Sequence, residues 1–462
     1  MSRHTLSKAA LFGVLAGVFV VGLVLTSGRD DATAQEGAPA TSTTSAAEPP
    51  SEDEEAQAEE RERAAFAQQA LEALRAAGFP GEGRYEPEHF RIQTQGPDGG
   101  AGMVIFLTNF YREYQATPPE RRGEVLARLT KANLPVDAPE TYEQARPDLM
   151  LVVRPRASFE LLTAHTGGPL GGKGPVSWRP LGEVLAVALV QDTPDAMRYV
   201  PPEDLVRWGV TFDRAYADAL ANLRRLGVEP MTPVAPGACA LSTNDSYGAS
   251  RLLLAEVVRR CEVRGEPVAL VPNRDTLLLT GSKDAEGLRK VAEVAQLAMQ
   301  APRPVDGRAL RLTAEGWKPF LPDAGHPARS LLQRLAVSSL ARDYAEQAER
   351  LDQQHEREGT DLFVAGYIPE QDEHGRSFGQ AVWVSGIDTL LPRADILLFM
   401  DEKLGPKAPP VAVVRWDLVV RDAGLLLMPE LGLYPERYRV TGFPSKEQLE
   451  RWKAEPTAMD TP

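Results

Sequence analysis

Between residues 90 and 300 the chain repeats one rhythm: a strand-like run, a second strand-like run soon after, and a helix with one apolar face. Paired strands followed by such a helix bury apolar surface as an α+β layer, so the rhythm predicts an α+β fold of strand-strand-helix units. In the first unit, runs at 90–95 and 103–110 are joined by Gly96-Pro97-Asp98-Gly99-Gly100. Thr117-Pro118-Pro119-Glu120 then reads as a helix start, with an N-cap Thr, Pro at the first helical position and a reciprocal Glu. The second unit has runs at 184–190 and 198–200, then a helix bearing Phe212, Tyr216, Leu220 and Leu223. The third has runs at 268–271 and 276–280, then a helix bearing Leu288, Val291, Ala295 and Ala298. Val187-Ala188-Leu189-Val190 recurs as Val268-Ala269-Leu270-Val271, although any buried strand can read this way.

Flanking segments complete the outline. Ser51 and Glu54 form a capping box ahead of a helix with Phe66, Ala70, Leu71 and Leu74 on one face, ending at Gly78. After Pro327 a long helical stretch, 331–358, leads to strand-like runs at 361–368 and 378–384, which read as a hairpin around His374-Gly375. Further strands are expected at 396–400, 411–420 and 425–428. The chain is thus read as an α+β domain over residues 56–325 and a smaller strand-rich domain over 326–462.

Arg3 and Lys8 flank an uncharged stretch of 18 residues, 9–26. As a helix it reaches about 27 Å, close to the thickness of a hydrocarbon core. With the basic residues on its short side, that end is expected to stay cytoplasmic and the rest to cross. Ala32-Thr33-Ala34 offers a small-x-small cleavage site, so residues 1–34 are either a transmembrane anchor or a signal peptide released after Ala34. Both readings make the body extracytoplasmic, in a periplasm or at a cell surface. Residues 35–55, rich in Ala, Thr, Ser, Pro and Glu, read as a disordered tether.

Charge narrows the partners. The 51 basic and 65 acidic residues give a net charge of −14, and no basic run is present to neutralise a phosphate backbone or an anionic lipid surface. Nucleic acid is therefore not an expected partner, and membrane contact is expected only through the N-terminal segment.

Two segments carry a family likeness. From Leu241 the chain reads LSTNDSYGASRLL, and from Val268 VALVPNRDTLLL. Together these resemble the YtpQ-like family (domain of unknown function 1444) around its Asn-Asp-x-Tyr-x-Ala-Ser-Arg turn and Val-Pro-x-x-Asp strand end. Leu151-Val152-Val153-Arg154 and the helix at 218–226 fall in the matching order, so the likeness spans about residues 56–317. The resemblance implies an α+β domain and brings with it no substrate and no catalytic residues.

The candidate chemistry centres on that turn. It joins a strand at 238–242 to an expected helix carrying Leu254, Val257, Val258 and Cys261. A helix N-terminus attracts anions, so Asn244, Asp245, Ser250 and Arg251 are candidates to bind a small anionic ligand; the alternative is that Asn244, Asp245 and Ser246 cap the helix and Gly248 eases the bend. Arg274 and Asp275 follow a buried-type strand and are candidate ligand groups, or else part of a hairpin turn. The two cysteines, Cys239 and Cys261, stand at the far ends of the strand and the expected helix. Those elements would be about 17 and 22 Å long, so a helix folding back brings the ends together. Outside the cytoplasm the pair would form a disulfide; otherwise both are buried thiols.

Other motifs fail. The run 167–174, GGPLGGKG, nearly matches a phosphate loop, but Gly174 stands where Ser or Thr must hold magnesium. The six histidines show no metal spacing, His374 lies at an expected hairpin tip, and no metal or cofactor is expected. No nucleophile elbow is present. With no complete catalytic set, the reading is an envelope-associated binding or scaffolding protein, meeting another envelope protein or a small anionic ligand. Two alternatives stand beside it: an exported hydrolase with carboxylates at the domain junction, and a small-anion sensor built on the 243–251 turn. A hydrolase needs a cleft with two carboxylates of separated pKa, a sensor needs an open pocket at the helix start, and a scaffold needs an exposed apolar patch.

Overall fold

The computed structural model describes residues 52–79, 82–95, 101–134, 138–163, 176–193, 197–227, 230–405 and 408–453. The apolar stretch 9–26, Ser51 with most of the expected tether, the 96–100 turn and the glycine-rich run 167–174 lie outside the described residues. The fold is α+β, and its chain divides into two compact units: Met1–Thr130 with Leu404–Lys407, and Lys131–Lys403 with Ala408–Pro462. The boundary expected near residue 325 falls inside the second unit.

In the first unit, α1 (Glu52–Ala76) buries Phe66, Ala67, Ala70, Leu71 and Leu74, spaced along one helical face. That face packs with Ile92 and Ile105, paired across a three-stranded antiparallel sheet of β1 (Gly83–Glu86), β2 (Arg91–Gln95) and β3 (Ala101–Phe106). β3 ends at Phe106, short of the expected residue 110, because α2 (Thr108–Ala116) begins there. Thr117 does not cap α3 (Arg122–Asn133). It ends α2 instead, its hydroxyl donating to the Glu113 carbonyl at 2.7 Å, and a 3-10 turn, Pro119–Arg121, leads into α3.

The second unit opens with α4 (Tyr142–Ala145), β4 (Leu149–Pro155), α5 (Arg156–Thr163), β5 (Trp178–Leu181), β6 (Leu185–Asp192), β7 (Met197–Tyr199), α6 (Pro202–Trp208) and α7 (Phe212–Arg225). β6 is the hub of an antiparallel sheet, pairing with β4, β5 and β7. Its run from Leu185 to Gln191 is wholly buried, as a central strand covered on both faces must be. Next come β8 (Thr232–Ala235), β9 (Ala238–Ser242), α8 (Ala255–Val258), β10 (Pro267–Asn273), β11 (Thr276–Gly281), α9 (Ala285–Ala298), β12 (Pro304–Thr313) and β13 (Gly316–Pro319). The strands make a six-stranded antiparallel sheet in the order β13-β12-β10-β11-β9-β8. The single helix expected after the 243–251 turn is broken. A 3-10 turn, Ala249–Leu253, is followed by extended Leu254 and the one-turn α8.

The rest is α10 (Arg329–Glu358), β14 (Phe363–Val364), β15 (Ile368–Gln371), β16 (Ser377–Val384), β17 (Thr389–Pro392), β18 (Ile396–Met400), β19 (Ala412–Arg415), α11 (Trp416–Ala423), β20 (Leu427–Glu430), β21 (Arg437–Val440) and α12 (Lys446–Lys453). They form two four-stranded mixed sheets, β15-β16-β18-β19 and β14-β17-β21-β20. β15 and β16 make the expected hairpin at His374-Gly375, while Phe363 and Val364 join the other sheet. The strand expected at 411–420 stops at Arg415. Beyond it α11 buries Val419 and Ala423, four residues apart, which is a helical rather than an alternating pattern.

α10 joins the six-stranded sheet to these later strands. Leu332 and Leu335 pack into the core over β10 and α9, whereas Ser339, Asp343 and Gln347 continue the buried face as a polar stripe at four-residue spacing. Ser339 Oγ accepts from the Gly307 N–H of β12 at 2.9 Å, and Asp343 pairs with Arg308. A Cβ on Gly307 would stand 3.1 Å from both Leu335 O and Ser339 Oγ, so a side chain there would lift the helix. At the other end Gln347 donates to the Pro435 carbonyl and accepts from Arg437, which also donates to the carbonyls of Tyr344, Ala365 and Leu390.

Cys239 of β9 and Cys261 beyond α8 form a disulfide with a Cα–Cα distance of 6.0 Å. It closes a loop with a sequence separation of 22, so replacing both cysteines with Ala is expected to cost about 3 kcal/mol in urea unfolding. The denatured, unreduced chain should show no thiol reactive to a chromogenic disulfide. A loss under about 1 kcal/mol would mean that the link constrains little.

Candidate functional site

The 243–251 turn is closed on itself. Asp245 Oδ1 accepts from Thr243 Oγ1 at 2.8 Å, Tyr247 N–H at 2.9 Å and Arg251 Nη1 at 3.1 Å, while Oδ2 takes Arg251 Nη2 at 2.7 Å. Burial alone would raise the Asp245 pKa, but the Arg251 pair and the Tyr247 and Thr243 bonds hold it below the usual range. Arg251 is 2% exposed and spends its remaining donors on the Gly227 carbonyl. Ser246, with a left-handed φ of 66°, donates its N–H to Asp275 Oδ1 at 2.7 Å. Ser250 Oγ accepts from the Val153 N–H at 3.1 Å. A Cβ on Gly248 would fall 2.3 Å from the Asp275 carbonyl, so only glycine lets the two turns pass. Of the sequence candidates, Asp245, Ser250, Arg251 and Asp275 are therefore brought together as a strut, with the protein's own carboxylate in the anion position. Asn244 is exposed and stands apart. Arg274 and Asp275 form the two-residue turn between β10 and β11, after the Asn273–Thr276 pair.

A cavity of about 770 Å³ opens elsewhere in the second unit, within the range that holds a small ligand. Its walls come from the start of α5, the β5–β6 turn, β12, α10, the β17–β18 loop, the β19–α11 junction and residues 433–436. Four arginines face it, each with a carboxylate of its own. Arg156 pairs with Glu160 at 2.8 Å and lies 4.2 Å over the Tyr434 ring. Arg393 pairs with Glu436 at 2.9 Å, and Arg415 with Asp417 at 2.6 Å. Arg308 lies between Asp306 and Asp343. With its cations matched in this way, the cavity is polar but not an anion hole.

What remains open is specific. Asp395 Oδ2 accepts from the Gly379 N–H at 2.7 Å, but its Oδ1 has no hydrogen bond among the described residues. The hydroxyls of Tyr367 and Tyr434 have none either. Burial raises the Asp395 carboxyl, with Gly379 N–H and Arg393 opposing. Burial also raises both phenols, Tyr434 to about 12, so each stays a neutral O–H donor. Tyr367 is held flat against Tyr344, ring centroids 5.2 Å apart, and against Gly379, where a Cβ would meet its ring at 1.9 Å. The aromatic floor thus depends on a glycine in β16. Glu183 stands on the exposed rim, and Asp343 lies behind Arg308. Among the described residues, the open carboxylate oxygen of Asp395 therefore has no second unpaired carboxylate beside it on the wall.

The residues of this cavity were missed in the sequence because they scatter from 156 to 436. One signal was available: Ser339, Asp343 and Gln347 put polar groups on the apolar face of a long helix, where each demands a partner. Among the described residues no group of His, Cys, Asp or Glu is placed to hold a metal, and no helix is long and apolar enough to cross a membrane.

Asp343 gives a pH test. Burial, reinforced by Asp306, pushes its carboxyl up to about 6 from 3.8, against the pull of Arg308. The folded state then binds more protons than the unfolded chain between those values, so this group's contribution falls as pH rises from about 4 to about 6 and is flat above. The wild type should lose stability across that window relative to Asp343→Asn in denaturant unfolding; parallel curves would refute the assignment.

No protein-family model, curated protein or solved structure matches this chain.

Proposed function

We propose that this is an extracytoplasmic binding protein, anchored at a membrane or released from it, whose cavity takes a ligand rich in hydroxyl or ammonium donors. Asp395 carries the argument: it presents an acceptor oxygen with no hydrogen bond among the described residues, in a cavity that also holds two neutral phenols and whose arginines are already paired. An acceptor-only carboxylate selects donors, and the tyrosine faces suit the apolar side of a sugar or amino-acid ligand. The Cys239–Cys261 bond supports an oxidising compartment, and the YtpQ-like resemblance remains part of the proposal without adding a substrate. A hydrolase reading has less support, because among the described residues no second unpaired carboxylate stands beside Asp395.

A scaffolding role has its own observation. Leu425, Met428 and Leu431 are 99%, 52% and 90% exposed around β20, an edge strand of its sheet. Apolar side chains beside an unpaired strand edge suit docking of another envelope protein.

Amino sugars, simple sugars and amino acids are to be screened by thermal shift on the purified chain. One class should raise the melting temperature, by about 2.7 kcal/mol of stabilisation at a hundredfold excess over Kd, and Asp395→Asn should remove the effect. A shift that survives Asp395→Asn would place the ligand elsewhere. For the compartment, a C-terminal phosphatase fusion is expected to be active; an inactive, stable fusion would put the body in the cytoplasm.

A further inference from the structure

Arg308 reaches the wall of the cavity that holds Asp395 with one nitrogen of its guanidinium uncommitted. Its Nε and Nη2 are taken by Asp306 and Asp343, whereas Nη1 makes no hydrogen bond among the described residues. Trp416 is a second such donor. It lines the same cavity, its ring rests on Tyr438 with centroids 5.1 Å apart, and its Nε1 has no hydrogen bond among the described residues.

These donors gather around the open acceptor. The backbone N–H of Trp416 donates to the Asp395 carbonyl at 2.9 Å, which anchors the indole and the carboxylate together. Tyr367 joins them through Gly379, whose N–H holds Asp395 Oδ2 and whose Cβ position lies 2.1 Å from the Tyr367 hydroxyl. Arg308 stands near enough to Tyr367 and Tyr434 to oppose the rise of both phenols.

Arg308 Nη1 and Trp416 Nε1 can only donate, and an ionised Asp395 Oδ1 can only accept, so a fitting ligand must offer both kinds of group. An ammonium ligand donates alone, and would leave the two nitrogens desolvated without acceptors. A carboxylate, as on an amino acid, would be the third to share Arg308, against the repulsion of Asp306 and Asp343. A hydroxyl donates and accepts without charge. A sugar ring carries several of them on its rim and C–H groups on its face, which suit an aromatic side chain.

We propose that the ligand of this cavity is an uncharged saccharide, its hydroxyls held by Asp395, Arg308, Tyr367 and Tyr434 and its apolar face laid on Trp416. This rests on the binding reading above and narrows it from donor-rich ligands in general to neutral sugars. Arg308 and Trp416 thereby become binding residues beside Asp395.

The test titrates the full chain by calorimetry and melting temperature. The probes are glucose, galactose, mannose, N-acetylglucosamine, maltose and cellobiose, with glucosamine, lysine and glutamate as the charged set. At least one neutral sugar should bind, with an affinity unchanged between low and high sodium chloride, since no ion pair is formed. Asp395→Asn should weaken it about ten- to hundredfold. Trp416→Ala should weaken it about tenfold, with Trp416→Phe restoring most of the loss. Tyr434→Phe removes only a hydroxyl and should also weaken binding, which keeps the test decisive if Trp416→Ala melts early. If the charged set binds through Asp395 and no neutral sugar does, the saccharide assignment falls while the wider binding reading stands. If nothing in either set binds, both fall. A neutral sugar whose affinity survives Asp395→Asn and Tyr434→Phe is bound elsewhere, which also overturns the assignment.

Discussion

The Arg308 guanidinium, buried between Asp306 of its own strand and Asp343 of α10, ties the later strands to the six-stranded sheet. A buried charge without partners is costly enough to unfold a marginal protein, so β12 and α10 must meet with these groups opposed. Gly307 lets the helix approach, and Ser339 adds a hydrogen bond to its backbone N–H. One turn beyond Asp343, Gln347 passes the constraint to Arg437, whose donors gather carbonyls from three separate segments. Hydrophobic burial would tolerate α10 sliding along its groove; this polar stripe does not. The cavity inherits that precision, since Arg308 and Tyr344 form part of its wall.

The polar groups of the 243–251 turn are matched among themselves. Around Asp245 the donors and acceptors are matched, and a satisfied buried network rigidifies the loop that carries it. The turn is better understood as a structural strut, with Asp245 filling the place an anion would take.

Legibility in the sequence followed the physics of each segment. β9 and the β10–β11 hairpin could be read directly, because apolar runs ended at Pro, Asn and Asp turn residues. α7 and α9 declared themselves through a single apolar face. Three expectations failed where a local pattern has two readings. The apolar run at 411–420 suits a strand or a buried helix, and becomes both. Thr117 could cap forwards or close the helix behind it, and does the latter. Beyond the 243–251 turn a helical apolar pattern is interrupted at Leu254, where the extended backbone serves packing rather than propensity.

By itself the sequence determined the α+β class, the main strands and helices, and a cysteine pair at distances that allow a bond, because these depend on spacing along the chain. Which groups would share a site was decided only by the tertiary structure. Asp395, Tyr367 and Tyr434 acquire a common cavity through sheet register and the seating of α10. Whether a charge is matched depends on its neighbours in space, and neighbours separated by a hundred residues leave no mark in local pattern.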